Sequence, residues 1–447
     1  MKAIKRFYLD LFLSDRLFMC LGLLVLLFML RFFLGWLGDV PKIALAVFCM
    51  LIVLDLWLLY RQKKPFEASR QSANRLSNGD ENPIAIRLSN RYPFAVQVRV
   101  IDELPFQFQL RDKDFRTSIA ANGIRSIHFS LRPVKRGEYA FGYTRVFVRS
   151  PLGLLVRRFN FDGARVLPVY PSFLHMRRYE LMAISPHLQE LGIKKIRKIG
   201  QSTEFEQIKN YVTGDDIRKI NWKATARRGD LMVNNYIDER AQHIYCVVDK
   251  SRVMRMPFNG LSLLDYAINA SVALCKVAMM KEDKAGLITL SEKLGTIVPA
   301  DRKAGQLGNI LEVLYREKTR YLESNLDALY AAVRTRLTQR SLLVFFTNFE
   351  SLSAMRRQLP YLRKLARFHL LLVVFFENSE LRTLAGTAAP DTEGIYTQAI
   401  AEKFLNEKKL IVQELRQHGI LALLTAPENL TINIINEYLA LKARNRI

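Results

Sequence analysis

Two apolar segments near the start of the chain constrain the fold most. They cover residues 17–37 and 43–60, and only residues 38–42 separate them. A helix needs about 20 apolar residues to cross a bilayer, and each segment has about that length. Because backbone polar groups in hydrocarbon must be paired within the segment, both runs are restricted to helices. We therefore predict a membrane hairpin over residues 1–64.

The charges around this hairpin predict its orientation. Basic residues flank it on both sides: Lys2, Lys5, Arg6 and Arg16 before it, and Arg61, Lys63 and Lys64 after it. The connecting loop has only Asp39 and Lys42. The excess of Lys and Arg on cytoplasmic flanks then places both ends inside. We expect a multi-pass protein of the bacterial cytoplasmic (inner) membrane, with its soluble domains facing the cytoplasm.

Each apolar segment contains one charged residue. Arg31 lies near the outer end of the first segment, and Asp55 lies near the inner end of the second. At ~1.5 Å per residue they differ in depth by more than ~10 Å, too far for a mutual ion pair. We expect each side chain to extend to its own membrane interface.

Two further domains are indicated by changes in hydrophobic period. Residues 65–172 contain short alternating strands separated by turn residues, which predicts an all-β sandwich of immunoglobulin or fibronectin type. From residue 244 to 447, continuous apolar strands alternate with amphipathic helices. That pattern predicts a doubly wound, mostly parallel α/β sheet covered by helices on both faces.

The connecting segment, residues 173–243, is rich in charged, aromatic and glycine residues: Glu204, Tyr211, Gly214, Asp215, Asp216, Arg218, Asn221, Trp222, Arg227 and Glu239. Gly214 suits a turn, and Asp215 or Asp216 can cap the helix that follows. A catalytic acid pair is the alternative reading of these two residues. Trp222 is predicted to anchor the segment by packing, with nucleotide stacking as the alternative.

This segment resembles the signature of domain-of-unknown-function family 58. The resemblance is carried by Thr203-Glu204-Phe205, by Tyr211-x-x-Gly214-Asp215-Asp216-x-Arg218-x-Ile220-Asn221-Trp222-Lys223-Ala224-Thr225-Ala226-Arg227, and by a strand ending in Val248-Asp249-x-Ser251. It implies two membrane helices, a β domain and a von Willebrand factor A-like domain. It also implies an association with MoxR-type AAA+ ATPases.

Domains of von Willebrand A type hold Mg²⁺ beyond the first strand with an Asp-x-Ser-x-Ser motif. Asp249 and Ser251 fit that motif, but Val253 replaces its second Ser. Thr347-Asn348 stands where relatives have an Asp, and Thr319, Glu323 and Ser324 are the nearby oxygen donors. Since Val cannot ligate and Asn carries no charge, we expect a degenerate site and no resident cofactor.

The net charge and the motifs of the chain limit the functions that it can have. Lys and Arg total 67 against 42 Asp and Glu, which gives a net charge of +25 and implies an anionic neighbour such as acidic lipid. The charge is spread along the chain, so no specific nucleic acid is expected. No phosphate-binding loop, nucleophile elbow or Cys-x-x-Cys zinc motif occurs in the sequence.

We therefore expect a non-enzymatic, membrane-anchored adaptor that docks cytoplasmic proteins, with a MoxR-type AAA+ ATPase as the partner implied by resemblance. Two alternatives stay open. One is a metal-assisted hydrolase using Glu204, Asp215 or Asp216 with Asp249. The other is a protein that binds anionic lipid or nucleic acid through its positive charge.

Overall fold

The computed structural model of the protein describes residues 9–110, 113–172, 204–212, 215, 217, 220–237, 241–319, 322–387, 391–444 and 446. The chain forms two compact units, Met1–Tyr170 and Pro171–Ile447. The first contains the predicted hairpin and sandwich, and the second contains the α/β domain.

The two apolar segments form the predicted helices, α1 (Asp15–Phe33) and α2 (Val40–Tyr60). Both are long and apolar enough to cross a membrane, and their side chains are mostly exposed. Ser14 begins α1, because its hydroxyl accepts a hydrogen bond from the Leu17 amide at 3.3 Å. Arg31 lies 4.0 Å from Asp39 in the loop between the two helices, so it does not pair with Asp55, as expected.

The rest of the first unit is a β-sandwich. Its strands are β1 (Leu11–Leu13), β2 (Phe66–Gln71), β3 (Leu76–Ser77), β4 (Asn82–Asn90), β5 (Val96–Asp102), β6 (Asp114–Ile119), β7 (Ile124–Leu131), β8 (Gly137–Phe141), β9 (Thr144–Arg149), β10 (Leu155–Phe161) and β11 (Arg165–Tyr170). They form a five-stranded sheet, β1-β10-β9-β5-β6, and two three-stranded sheets, β2-β4-β7 and β3-β11-β8. Inward-facing residues of the first two sheets, including Ile86, Val98 and Val148, share one core. The predicted all-β sandwich is confirmed.

The expectation that Asp55 extends to the membrane interface is wrong. It does not extend to the membrane interface, because its carboxylate is fully buried against the turn between β9 and β10. It accepts hydrogen bonds from the amides of Leu154 at 3.0 Å and Leu155 at 2.8 Å, and from the Ser150 hydroxyl. A buried charge needs such donors. These contacts fix the C-terminal part of α2 to the sandwich.

The second unit begins, within the described residues, with a hairpin and a short helix: β12 (Glu204–Asn210), α3 (Trp222–Arg228) and β13 (Met232–Ile237). Its main sheet contains β14 (His243–Asp249), β17 (Lys284–Leu290), β18 (Leu294–Asp301), β19 (Leu342–Phe346), β20 (Leu370–Phe376) and β21 (Leu421–Thr425). A small hairpin, β15 (Pro257–Phe258) and β16 (Leu261–Ser262), lies between β14 and β17.

The order of the main sheet is β18-β17-β14-β19-β20-β21, and all neighbours are parallel except β17 and β18. Its helices are α4 (Leu263–Met280), α5 (Gln306–Arg316), α6 (Leu326–Arg336), α7 (Leu352–Phe368), α8 (Ser379–Gly386), α9 (Thr392–Gln417) and α10 (Leu430–Ala443). Two separate hydrophobic cores lie on the two faces of the sheet. The expected doubly wound, von Willebrand A-like architecture is confirmed. Helix α4 is also apolar enough to span a membrane, but 72% of it is buried in this unit, as suits a core helix.

Candidate functional site

The functional site of the second unit is expected where the strand order reverses. The central strand β14 connects onward to β17 on one side and has β19 on its other side, so the switch point lies between β14 and β19. Ligands of open α/β sheets bind beyond the carboxyl ends of the strands at such a point. Asp249 ends β14 there, and Thr347 directly follows β19.

Four oxygen-bearing side chains converge at this point. The Asp249 carboxylate is fully buried and accepts hydrogen bonds from Thr347 Oγ1 at 2.7 Å, Ser324 Oγ at 2.8 Å and the Ser251 amide at 2.9 Å. Ser324 Oγ also lies 3.2 Å from Ser251 Oγ. Burial raises the pKa of Asp249, and the bonds from Thr347, Ser251 and Ser324 act in the opposite direction.

The donor set does not fit a Mg²⁺ ion. Asp249 supplies its only carboxylate, and no group of three metal-ligating His, Cys, Asp or Glu side chains occurs in the described part of the chain. The Asn348 amide oxygen is already used, since it accepts from Lys408 Nζ at 2.7 Å and from the Phe349 amide at 3.0 Å. A cation bonded to Asn348 opposes a second cation nearby. Asp249 instead connects three loops by hydrogen bonds, through Ser251, Ser324 and Thr347.

Lys408 is a residue that the sequence analysis did not single out. It lies on α9, and its ammonium donates to Asn348 and to the Phe349 carbonyl. Burial lowers the pKa of Lys408 from 10.5 to about 8, partly offset by Glu350 and Glu407. Its helical neighbours Phe404 and Val412, four residues away on either side, are a signal in the sequence that this lysine faces an apolar wall.

A cavity of about 250 Å³ opens beside Lys408 at the same sheet edge. Its walls are mainly apolar and come from the β15–β16 region, α8 and α9, including Met256, Phe258, Leu381 and Phe404. Lys408, Glu350 and Glu377 supply charge at its border. An apolar pocket with a few polar groups is the usual form of a binding site.

The apolar face of α9 extends beyond the core. Tyr396, Ile400, Phe404, Ile411 and Leu415 follow at intervals of four, four, seven and four residues, which places them on one face of a helix. Ile411 and Leu415 are fully buried in the core, whereas Tyr396, Ile400 and Phe404 are 69%, 54% and 45% exposed. We call these three residues the apolar row.

The structure partly corrects the predicted roles in the connecting segment. Asp215 does not cap the helix: α3 begins at Trp222, and the Asn221 side chain accepts from the Ala224 amide at 3.0 Å. Asp215 instead accepts from Lys209 Nζ at 3.0 Å and the Val212 amide at 3.1 Å. These two bonds lower the pKa of Asp215. A carboxylate with a lowered pKa is poorly suited to general acid–base catalysis at neutral pH.

Trp222 is not the buried anchor that we expected. Its side chain is 68% exposed, and none of the residues of the seven-residue helix α3 is buried. Arg227 lies in the last turn of α3 before Gly229, whose φ of 80° ends the helix as predicted. Tyr211 pairs through its amide with the Leu231 carbonyl at 2.8 Å.

The other candidates are placed only in part. Glu204 is the first residue of β12, and its backbone pairs with Ile237. Gly214, Asp216, Arg218 and Glu239 lie outside the described residues. A convergence of the signature carboxylates on Asp249 therefore stays a hypothesis.

Comparison with known proteins points to one family. Residues 207–381 match the family described as "Protein of unknown function DUF58". The matched range covers α3 and the sheet as far as α8, and therefore includes the Asp249 cluster. "Uncharacterized protein YeaD" of Bacillus subtilis (strain 168) is 29% identical over 127 residues, which are 28% of this chain and 31% of YeaD. The match thus spans about a third of that relative's length.

Two solved structures are similar to single parts of the chain. The conserved hypothetical protein BatB from Bacteroides thetaiotaomicron is 14% identical, and the match covers 46% of this chain and 100% of BatB with a TM-score of 0.32. The ASH/PapD-like domain of human CEP192 is 15% identical, covering 23% of this chain and 86% of that domain with a TM-score of 0.17. The fold assignment rests on the strand order described above.

Proposed function

We propose that this protein is a membrane-anchored, non-enzymatic adaptor whose α/β unit docks a cytoplasmic protein. The partner class that the family resemblance implies is a MoxR-type AAA+ ATPase. The single observation that carries the proposal is the apolar row on α9, which continues a core face into solvent beside the cavity.

The apolar row has the chemistry of a docking site for a protein. Three large side chains on one helix face expose apolar area that a free domain normally buries, and contiguous patches of this kind mark interaction surfaces. Aromatic anchors beside a pocket carry much of the energy of an interface. Phe404 belongs both to the apolar row and to the cavity wall, so a partner side chain inserted in the cavity would contact the row as well.

The charges near the cavity add specificity. Arg252 lies between Glu323 and Glu350, 3.3 Å from a carboxylate oxygen of each. Side chains of both signs at the border of an apolar patch steer an approaching partner and reject wrong ones. The membrane hairpin raises the effective concentration of any partner held at the same membrane.

The hydrolase alternative has less support. Both oxygens of Asp249 are engaged by neighbouring donors, and Asp215 is bonded to Lys209. Among the described residues, neither carboxylate belongs to a group of three or more His, Cys, Asp or Glu side chains that could hold a metal ion.

The test uses the full chain in lipid nanodiscs and a purified MoxR-type ATPase from the same cell. Ile400→Asp is expected to weaken the complex at least tenfold, because it places a charge in the centre of the apolar row. Leu410→Asp is the matched control, since Leu410 lies on the same helix with 48% exposure but outside the row. Its affinity should stay within twofold of the wild type. Equal binding by both variants would refute the row as the docking site.

The same preparation tests the non-enzymatic character. We expect no turnover of phosphoester, peptide or glycan substrates by the full chain. Hydrolysis that Asp249→Asn abolishes in a folded protein would favour the hydrolase instead.

The proposal also requires the α/β unit to face the cytoplasm. Protease added outside intact spheroplasts should leave residues 61–447 uncut, whereas digestion from outside would contradict the orientation predicted from the flanking charges.

A further inference from the structure

A second cavity lies in the first unit, on the outer face of the five-stranded sheet. Its volume is about 550 Å³. Three arginines line it, Arg99, Arg116 and Arg149, together with the aromatic side chains of Phe12 and Phe147. We call it the arginine pocket. It belongs to neither the Asp249 cluster nor the apolar row.

The strand register explains why these side chains meet. In the row nearest α1, Phe12 pairs with Val156, Val156 with Arg149, and Arg149 with Gln97. In the adjacent row, Phe147 pairs with Arg99 and Arg99 with Arg116. Directly opposite residues have Cβ atoms about 5 Å apart, so the two rows bring three guanidinium groups onto one patch.

The arginine pocket has a positive charge that its own carboxylates only partly balance. Like charges directly opposite each other are destabilising, and Arg99 and Arg116 share the single carboxylate of Asp114, at 2.8 Å and 3.5 Å. Asp15, at the start of α1, is the other carboxylate at the pocket. Three arginines against two carboxylates leave one positive charge. A single phosphodiester anion would neutralise it.

The pocket lies where the chain enters the membrane. Leu13 ends β1 and α1 begins at Asp15, and the exposed side chains of Phe12 and Leu13 lie at this entry point. The pocket also lies close to the second helix, because Arg149 precedes Ser150, whose hydroxyl donates to Asp55 of α2. Both membrane helices therefore border the strands that form the pocket. Aromatic residues at such a depth suit the boundary between headgroups and acyl chains.

We propose that the arginine pocket binds the phosphate of an anionic phospholipid in the adjoining leaflet. Guanidinium groups bind phosphate oxygens in pairs, which gives both charge and geometry. Phe12 and Phe147 contact the glycerol and the first carbons of the acyl chains. The positive charge of the protein thereby acquires one defined lipid site, in addition to any diffuse attraction to the membrane.

The experiment uses the full chain in a neutral detergent, titrated with short-chain phosphatidylglycerol, with bound lipid counted by native mass spectrometry. The double variant Arg116→Gln/Arg149→Gln should weaken binding at least tenfold. The matched control is Arg132→Gln/Arg145→Gln, which removes the same charge at the opposite end of the sandwich. Arg145 lies on the same strand as Arg149, four residues earlier. The control should stay within twofold of the wild type.

Further variants and ligands distinguish binding at the arginine pocket from diffuse electrostatic attraction between the protein and lipid. Arg116→Lys/Arg149→Lys keeps the charge but loses the paired guanidinium donors, so it is expected to bind more tightly than the Gln double variant and more weakly than the wild type. Its binding also shows that the sandwich folds with both positions changed. Equal losses in the double variant and the control would overturn the proposal in favour of diffuse charge. Equal binding of phosphatidylcholine, or displacement of the lipid by inorganic phosphate at the same concentration, would overturn the assignment of an anionic lipid.

Discussion

Replacing Asp55 with alanine tests how the membrane hairpin is held to the sandwich. In the wild type its carboxylate accepts hydrogen bonds from three groups of the β9–β10 turn: the amides of Leu154 and Leu155 and the hydroxyl of Ser150. Asp55→Ala removes all three acceptor contacts without moving the backbone of α2.

The magnitude follows from the donors left behind. The Ser150 hydroxyl can rotate, but the two amides are fixed by the backbone. An unsatisfied buried donor costs about 1–3 kcal/mol, so the local free energy of opening should fall by about 2–6 kcal/mol. Asp55→Asn keeps one acceptor oxygen and should lose less.

Hydrogen exchange of the Leu154 and Leu155 amides, measured in nanodiscs, reports this free energy locally. A loss of 2 kcal/mol corresponds to roughly 30-fold faster exchange. Asp39→Ala is the control, because Asp39 is an exposed carboxylate of the same hairpin that pairs with Lys42 at 2.9 Å. An exposed pair of this kind contributes little to stability. Unchanged exchange at Leu154 and Leu155 in Asp55→Ala would refute the reasoning.

Three further predictions concern the second unit. The pKa of Lys408 is about 8 in the folded protein and 10.5 as its ordinary value, so the folded state binds fewer protons between these values and its stability should rise with pH across that window. The rise in the denaturation midpoint from pH 8 to pH 10 should be larger in the wild type than in Lys408→Met; equal rises would contradict it. Calorimetry with millimolar Mg²⁺ should give only heat of dilution, and a micromolar affinity lost in Asp249→Ala would show the donor set to be sufficient after all. Trp222→Ala should change the free energy of unfolding by less than about 1 kcal/mol, because the ring is largely exposed, and a loss near 3 kcal/mol in a denaturant titration would mean that the ring is buried.

Periodicity predicted most of the elements. The lengths of α1 and α2, the alternating strands of the sandwich and the apolar strands of the α/β sheet follow from local pattern and span length. The short strand β1 gave no such signal, because Leu11–Leu13 simply continues toward an apolar run. Its pairing with β10 is a tertiary contact. Likewise, the sequence offered Asp215 or Asp216 as the cap of α3, whereas the bridge between Ile220 and Val233 favours a start at Trp222 with Asn221 as the cap.

The candidate site was predictable only at its strand ends. That Asp249 and Thr347 meet follows from two parallel neighbours ending at one sheet edge. Ser324 comes from a loop before α6. The sequence analysis named it as a nearby donor together with Thr319 and Glu323, but the local sequence does not show which of the three reaches Asp249. The burial of Asp55 and of Lys408 could not be predicted either, because both depend on which distant backbone groups surround the charge.

The joint between hairpin and sandwich also has a consequence for the order of folding. The Ser14 hydroxyl donates to the Gly153 carbonyl, across a separation of 139 residues along the chain. At about 5–20 residues per second of synthesis, roughly 7–30 s pass between the appearance of the two groups. The helices can enter the bilayer long before their anchoring turn exists.

During that interval the residues of β1 have no partner strand, and the carboxylate of Asp55 lacks its three donors. Until β10 is made, the two helices of the hairpin therefore lack the contacts that hold them to the sandwich. Contacts this distant in sequence form late, since the loop between them must close first. In this unit the contacts that hold the hairpin to the sandwich can thus form only after the hairpin has been inserted and β10 has been made.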